Sequence, residues 1–293
     1  MSVSKRIKMH QLAQDQALHY FLYTPTKLKP NARVLVAVHG ISRNARKQAR
    51  LFADYAERYG VVVVAPLFDK QHYTGYQRLG ISGERADLAL NAILKEVALK
   101  TQANTQSVYL FGYSGGGQFV HRYAMAYPHK VKAMAIGAAG WYTLPNAQKR
   151  FPYGTAPHPK LPDLTFNRAK FLRIPAVVLV GDDDTLRDST LRKSEKLDKQ
   201  QGLNRFERGQ NWVKSMEKAA QQYGLETSFR FIPLPNSDHS FTRSVQIGGM
   251  AKQVFQAFFG REHATTTANL IPRKNAPSIV SYSQLNQALA IQL

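Results

Sequence analysis

The sequence predicts an α/β domain: a mostly parallel central sheet flanked by helices, with a lid-like insertion near mid-chain. Three observations carry this. Short, continuously apolar runs (Val34 to Val38, Val61 to Ala65, Val108 to Phe111, Val131 to Ile136, Ala176 to Val180) have the length of strands buried on both faces. Longer amphipathic stretches separate them, the alternation from which parallel sheets are built. The 293 residues suit one large domain better than several.

In chain order, Leu18 to Tyr23 alternates apolar and polar residues before Thr24-Pro25, which reads as an antiparallel strand. Val34 to Val38 stops at His39-Gly40. From Ala45 to Tyr59 the residues Ala49, Phe52, Ala53 and Ala56 are helically spaced, and Gly60 ends the helix. A strand follows at Val61 to Ala65. Glu84 to Lys100 reads as a helix with Leu88, Ile93, Leu94 and Val97 inward.

Val108 to Phe111 leads into Gly112-Tyr113-Ser114-Gly115-Gly116 and a helix that Pro128 stops. The stretch from Gly140 to Pro175 is rich in proline and aromatics and is no regular crossover; a loop of this length is ordinarily a lid or a binding surface. After the strand at Ala176 to Val180 come a helix around Asn204 to Tyr223, a strand at Ser228 to Ile232, a loop with His239, and a helix from Arg243 to Phe259. The expected organisation is a single domain over residues 1–260, the lid-like insertion over 140–175, and a tail over 261–293.

Composition narrows the function classes. No apolar run approaches the ~18 residues of a membrane span. MSVSKRIKMHQL is basic but lacks the apolar region of a signal peptide, so the expectation is a cytoplasmic protein, an exported mature form being compatible too. The absence of cysteine removes disulfides, a cysteine nucleophile and thiolate-held zinc. Forty Lys and Arg against nineteen Asp and Glu give +21. This charge is spread over both halves with no Lys/Arg run longer than two. A diffusely basic surface is therefore expected, open to association with an anionic surface but without a dedicated nucleic-acid element.

Gly112-Tyr113-Ser114-Gly115-Gly116 fits G-x-S-x-G between a buried strand and a helix. The pattern holds a serine on a tight, strained turn where neighbouring side chains would collide, and aims a helix N-terminus at developing negative charge. A phosphate-binding glycine turn is the competing account. The chain lacks both the P-loop lysine and the G-x-G-x-x-G spacing. Ser114 is the expected nucleophile.

Val34 to Gly40, the turn at Ser114, an aspartate after a later strand and a late histidine together resemble the α/β-hydrolase superfamily in the order Ser, Asp, His. Gly140-Trp141-Tyr142 adds a likeness to its poly(3-hydroxyalkanoate)-depolymerase-like and esterase branch. The resemblance covers about residues 18 to 260. It implies an α/β-hydrolase fold and His239 as general base, since the superfamily places that residue after the last strand. The acid commonly stands three residues after the glycine ending the strand at Val180, which selects Asp184, with Asp183 and Asp188 as alternatives. The oxyanion-hole amides would be those of Ile41 and Gly115. His39 is expected to pack and hydrogen-bond beneath its loop. Arg43 is either a partner for a substrate carboxylate or a solvated helix-start residue.

Acyl transfer to water through an acyl-serine uses every residue so placed. A small-molecule or oligomeric carboxylic ester is the expected substrate, because alkoxides leave more easily than amines. No cofactor or metal is called for. Trp141, Tyr142 and Tyr153, with Phe151, would wall the substrate or simply bury the insertion. A serine peptidase of the same superfamily and a polyanion-binding protein on a hydrolase scaffold are the rival functions.

Overall fold

The computed structural model describes residues 6–226 and 228–268. Eight strands form one sheet: β1 (Lys8–Leu12), β2 (Asp15–Tyr23), β3 (Arg33–Val38), β4 (Val62–Leu67), β5 (Asn104–Tyr113), β6 (Val131–Gly137), β7 (Ala176–Gly181) and β8 (Phe229–Leu234). Their order is β1-β2-β4-β3-β5-β6-β7-β8. β1 and β2 pair antiparallel, as do β2 and β4; every later pairing is parallel. Residues 34 to 38 are wholly buried, as a parallel strand covered on both faces requires.

The helices are α1 (Ala45–Tyr59), α2 (Ala86–Thr101), α3 (Gly115–Ala126), α4 (Arg168–Leu172), α5 (Glu195–Gln201), α6 (Arg205–Gln222), α7 (Phe241–Gln246) and α8 (Met250–Ala268). Phe52 of α1 meets Phe111 of β5 and Phe255 of α8, ring centroids 4.7 and 6.0 Å away. On α3, Tyr123 bonds Asn91 of α2 and His121 packs edge-on against Trp212 of α6. Aromatic rings thus tie helices to the sheet and to each other.

Strand order reverses at β3, which lies between β4 and β5. At such a switch point the loops leaving the two central strands diverge, opening a crevice at their carboxyl ends. Here those loops are His39-Gly40-Ile41 after β3 and Ser114 after β5.

Two sequence expectations need correction. Leu88 is 48 % exposed; the buried stripe of α2 runs through Ala86, Leu90, Ile93, Leu94 and Val97, the i, i+4, i+7 rhythm counted from Ala86. The single helix expected over Arg243 to Phe259 is two, α7 and α8, separated at Gly248-Gly249, where Gly249 takes φ 68°.

In the 140–175 segment, Phe151 stacks on Phe166 at 4.9 Å, Leu161 and Leu164 are buried, and α4 closes the stretch. The chain divides into units Met1–Phe258 and Phe259–Leu293. From residue 269 the expected tail lies outside the described residues. No helix among them is long and apolar enough to cross a membrane.

Candidate active site

Ser114 sits at φ 54°, ψ −112°, between the end of β5 and the start of α3. A non-glycine residue pays of order 1–3 kcal/mol for such a backbone. The turn is tight because backbones nearly touch: a Cβ on Gly112 would lie 2.2 Å from the Gly116 carbonyl oxygen, and one on Gly116 would lie 2.0 Å from that of Val38. The Ser114 N–H donates to the Gly137 carbonyl at 2.7 Å, clamping the turn to β6.

His239 lies two residues ahead of α7, whose N-terminus Ser240 caps by accepting from the Arg243 N–H. Its Nε2 is 3.1 Å from Ser114 Oγ, and its Nδ1 is 2.7 Å from Asp184 Oδ2. The ring stacks against Tyr113, centroids 5.5 Å apart. Asp184 is buried; Asp183 is exposed and Asp188 half-buried. Buried Arg205, the first residue of α6, bridges the loop. It donates to Asp184 Oδ1 at 3.3 Å, to Asp188 at 3.0 and 3.1 Å, and to Thr190 at 2.6 Å. Its hydrogen bonds hold the Asp188 carboxyl below the usual carboxylate range. Asp188 thus pairs with a cation, and Asp184 alone of the three aspartates bonds the imidazole.

Ser114, His239, Gly40, Ile41 and Thr190 line one cleft of about 280 Å³. Gly115 opens α3, so its N–H has no intrahelical acceptor. A Cβ on Gly115 would stand 3.1 Å from Ile41 Cγ2 and 2.6 Å from Tyr76 Oη, so both residues crowd the Ser114 turn. The Tyr76 hydroxyl donates to the His39 carbonyl at 2.9 Å. Arg43, at φ 58°, donates to the carbonyls of Ile41 and Phe68, both at 2.9 Å. It thereby pins the loop after β3.

No family model matches the chain. A bifunctional acetylxylan esterase/xylanase from Neocallimastix patriciarum is 26% identical over 133 residues, 45% of this chain and 19% of that protein. The chain thus matches about a fifth of the length of that curated relative. Among solved structures, LpqC, a poly(3-hydroxybutyrate) depolymerase from Bordetella parapertussis, superposes with TM-score 0.70 at 22% identity, covering 98% of each chain. Poly(aspartic acid) hydrolase-1 from Sphingomonas sp. KT-1 gives 0.68 at 23% identity, over 83% of this chain and 93% of that one. An S-formylglutathione hydrolase from Agrobacterium tumefaciens gives 0.55 at 15% identity, over 86% and 94%. The chain has the α/β-hydrolase fold.

Within the α/β-hydrolase fold the remaining candidates scatter. Trp141 and Tyr142 are buried, and neither they nor Tyr153 line the Ser114 cleft. Trp141 lies under the Arg122 guanidinium, 4.1 Å from its ring centroid. Tyr142 stacks on Trp212 at 5.1 Å, and the Tyr153 hydroxyl accepts from Arg192 at 2.6 Å. His39 is wholly buried, accepting from the Phe68 N–H at Nε2 and donating from Nδ1 to the Gly40 carbonyl. Burial lowers its pKa to about 4, so it stays neutral beneath the loop. Sequence reasoning missed Tyr76, Tyr113 and Arg205 at the site. Tyr113 stood inside the motif; nothing in sequence spacing connects Arg205 to Asp184.

Proposed function

We propose that this chain is a serine hydrolase that cleaves carboxylic esters through an acyl-serine intermediate, with Ser114 as nucleophile, His239 as general base and acid, and Asp184 as its orienting carboxylate. The observation that supports the reading is the unbroken line Ser114 Oγ, His239 Nε2, His239 Nδ1, Asp184 Oδ2, with steps of 3.1 and 2.7 Å on a strained turn.

The chemistry follows from that line. Ser114 Oγ attacks the ester carbonyl carbon while its proton passes to His239 Nε2. Asp184, accepting from Nδ1–H, fixes the tautomer in which Nε2 is free to take that proton and stabilises the imidazolium. The oxyanion is held by the N–H groups of Ile41 and Gly115, the second at the positive end of α3. Collapse expels the alkoxide, which takes the proton back from Nε2. Water, deprotonated by the same nitrogen, then cleaves the acyl-serine.

The three structural neighbours are named as a poly(3-hydroxybutyrate) depolymerase, a poly(aspartic acid) hydrolase and an S-formylglutathione hydrolase. Acyl transfer to water fits all three names, and an ester is preferred to an amide because an alkoxide leaves more readily than an amine anion. The test is labelling with a fluorophosphonate, alongside turnover of p-nitrophenyl esters of graded acyl length. Stoichiometric labelling at Ser114 and ester turnover are expected. Absence of both would leave the polyanion-binding reading in its place.

A further inference from the structure

α1 begins against the electrostatic expectation for a helix. A helix N-terminus is partially positive and favours acidic side chains in its first turn. The first turn of α1 holds no acidic residue; it holds Arg46 and Lys47, with Arg50 one turn on. Asn44, at the N-cap, makes no side-chain bond to the helix, and while the Ala45 and Gln48 N–H groups donate to the Arg43 and Asn44 carbonyls, those of Arg46 and Lys47 stay open. Among the described residues Arg46, Lys47 and Arg50 make no ion pair. Positive charge is thus concentrated here without an ion-pair partner among the described residues.

These side chains line, with Arg43, a groove of about 540 Å³ whose remaining wall includes apolar Ile7, Phe21 and Leu67. Asn44 and Lys47 also line the cleft that contains Ser114 and His239, so groove and cleft share a wall. Among the described residues no carboxylate side chain lines either. A second observation lies one residue further along α1. Gln48 lines the cleft, is 2 % exposed, and its amide oxygen has no hydrogen-bond partner. A buried amide without a partner is costly.

We infer that the groove at the start of α1 binds a carboxylate of the substrate, so that the enzyme's substrates are esters whose acyl chain carries a second, ionised carboxyl group. The anion sits against Arg46, Lys47 and Arg50 while the scissile carbonyl lies at Ser114. This rests on the hydrolase reading above and deepens it.

The experiment compares 4-nitrophenyl monoesters of adipic, suberic and sebacic acid with their methyl-capped, neutral counterparts, following nitrophenolate release. For the chain length that spans cleft to groove, kcat/KM of the anion is expected to exceed that of the neutral ester by roughly tenfold at ~0.01 M salt, narrowing as screening shortens at ~0.1 M. Arg46→Ala with Arg50→Ala brings that ratio close to one. Exposed Lys132 and Lys214, changed together to Gln, remove the same charge elsewhere and leave the ratio intact. Equal rates across the series, or equal loss of preference in the Lys132/Lys214 variant, overturns the inference while the hydrolase reading stands. If no ester is turned over and no label attaches, that reading fails instead. Calorimetry on Ser114→Ala then decides the groove separately: monomethyl suberate should bind and dimethyl suberate should not, with binding lost in Arg46→Ala/Arg50→Ala. No heat from the monoanion refutes the groove.

Discussion

Arg205 Nη1 lies 3.3 Å from Asp184 Oδ1, the carboxylate oxygen that His239 leaves free. Asp184 is thereby gripped from both sides, by an imidazole on one oxygen and a buried guanidinium on the other. The same guanidinium forks onto Asp188, so the loop between β7 and α5 closes on a single cation. A planar fork of this kind positions two carboxylates at once, which an ammonium cannot do.

Arg205→Met should therefore harm both stability and rate. Breaking a buried ion pair from one side costs about 3 kcal/mol or more, read as a lower midpoint in urea. Freed of its second contact, Asp184 orients His239 less well, and a misplaced catalytic group can cost up to ~10²-fold in kcat with KM little changed. Arg205→Lys, keeping charge without the fork, should recover part of the stability and little of the rate. A stability loss with kcat untouched would make Arg205 structural alone.

Ser114→Ala should cut ester turnover at least ~10³-fold with the fold intact, because members of such a set act as a unit. Asp184→Asn should approach that loss, since an amide in place of the carboxylate favours the wrong imidazole tautomer. Asp183→Asn should do almost nothing, its side chain being exposed. Asp188→Asn weakens the fork from Arg205 and should fall between them. Circular dichroism confirms folding in each variant. Asp188→Asn proving the more crippling change would move the acid to that residue.

How much of this was legible in sequence depended on whether the signal was local. The strand at Val34 to Val38 and the helix at Ala45 to Tyr59 announce themselves by apolar continuity and by 3.6-residue spacing, and the structure places them there. Gly112 and Gly116 betray the turn because backbone approach tolerates no Cβ. Asp184 and His239 could be named only through the superfamily's chain order, and the structure brings both to Ser114. Arg205 and Tyr76 were invisible because their partners lie 21 and 37 residues away along the chain. Leu88 misled for the opposite reason: its apolar side chain invites burial, yet its helical phase faces water.

The aromatics of the insertion give a third prediction. Tyr142 is fully buried and stacked on Trp212, so Tyr142→Ala should cost about 3–5 kcal/mol as a cavity in the core. For a domain of this size that is a fall in Tm of order 10 °C. Calorimetric melting checks it. A large rise in KM with Tm unchanged would return Tyr142 to the substrate wall.

The pH dependence of stability should carry the signature of His39. Burial holds its pKa near 4, against 6.5 for the free side chain. Between those values the unfolded chain binds a proton that the folded one refuses. Stability tied to neutral His39 is therefore complete above about pH 6.5 and is lost as pH falls through 4. A displacement of that size corresponds to about 3 kcal/mol. Buried His121 is shifted in the same direction by burial and steepens the same limb. Glu57, its carboxyl lowered to about 2, gives up its contribution only further into acid. In His39→Gln the amide oxygen can still accept from the Phe68 N–H, which donates to Nε2 at 3.0 Å in the parent, but nothing titrates. Urea unfolding at half-unit steps from pH 7 to 4 should show the variant less stable than the parent at pH 7. Its decline should be shallower, so that the two curves converge towards pH 4. Parallel curves would mean that His39 is protonated in the folded state and that the loop beneath Ile41 tolerates a buried cation.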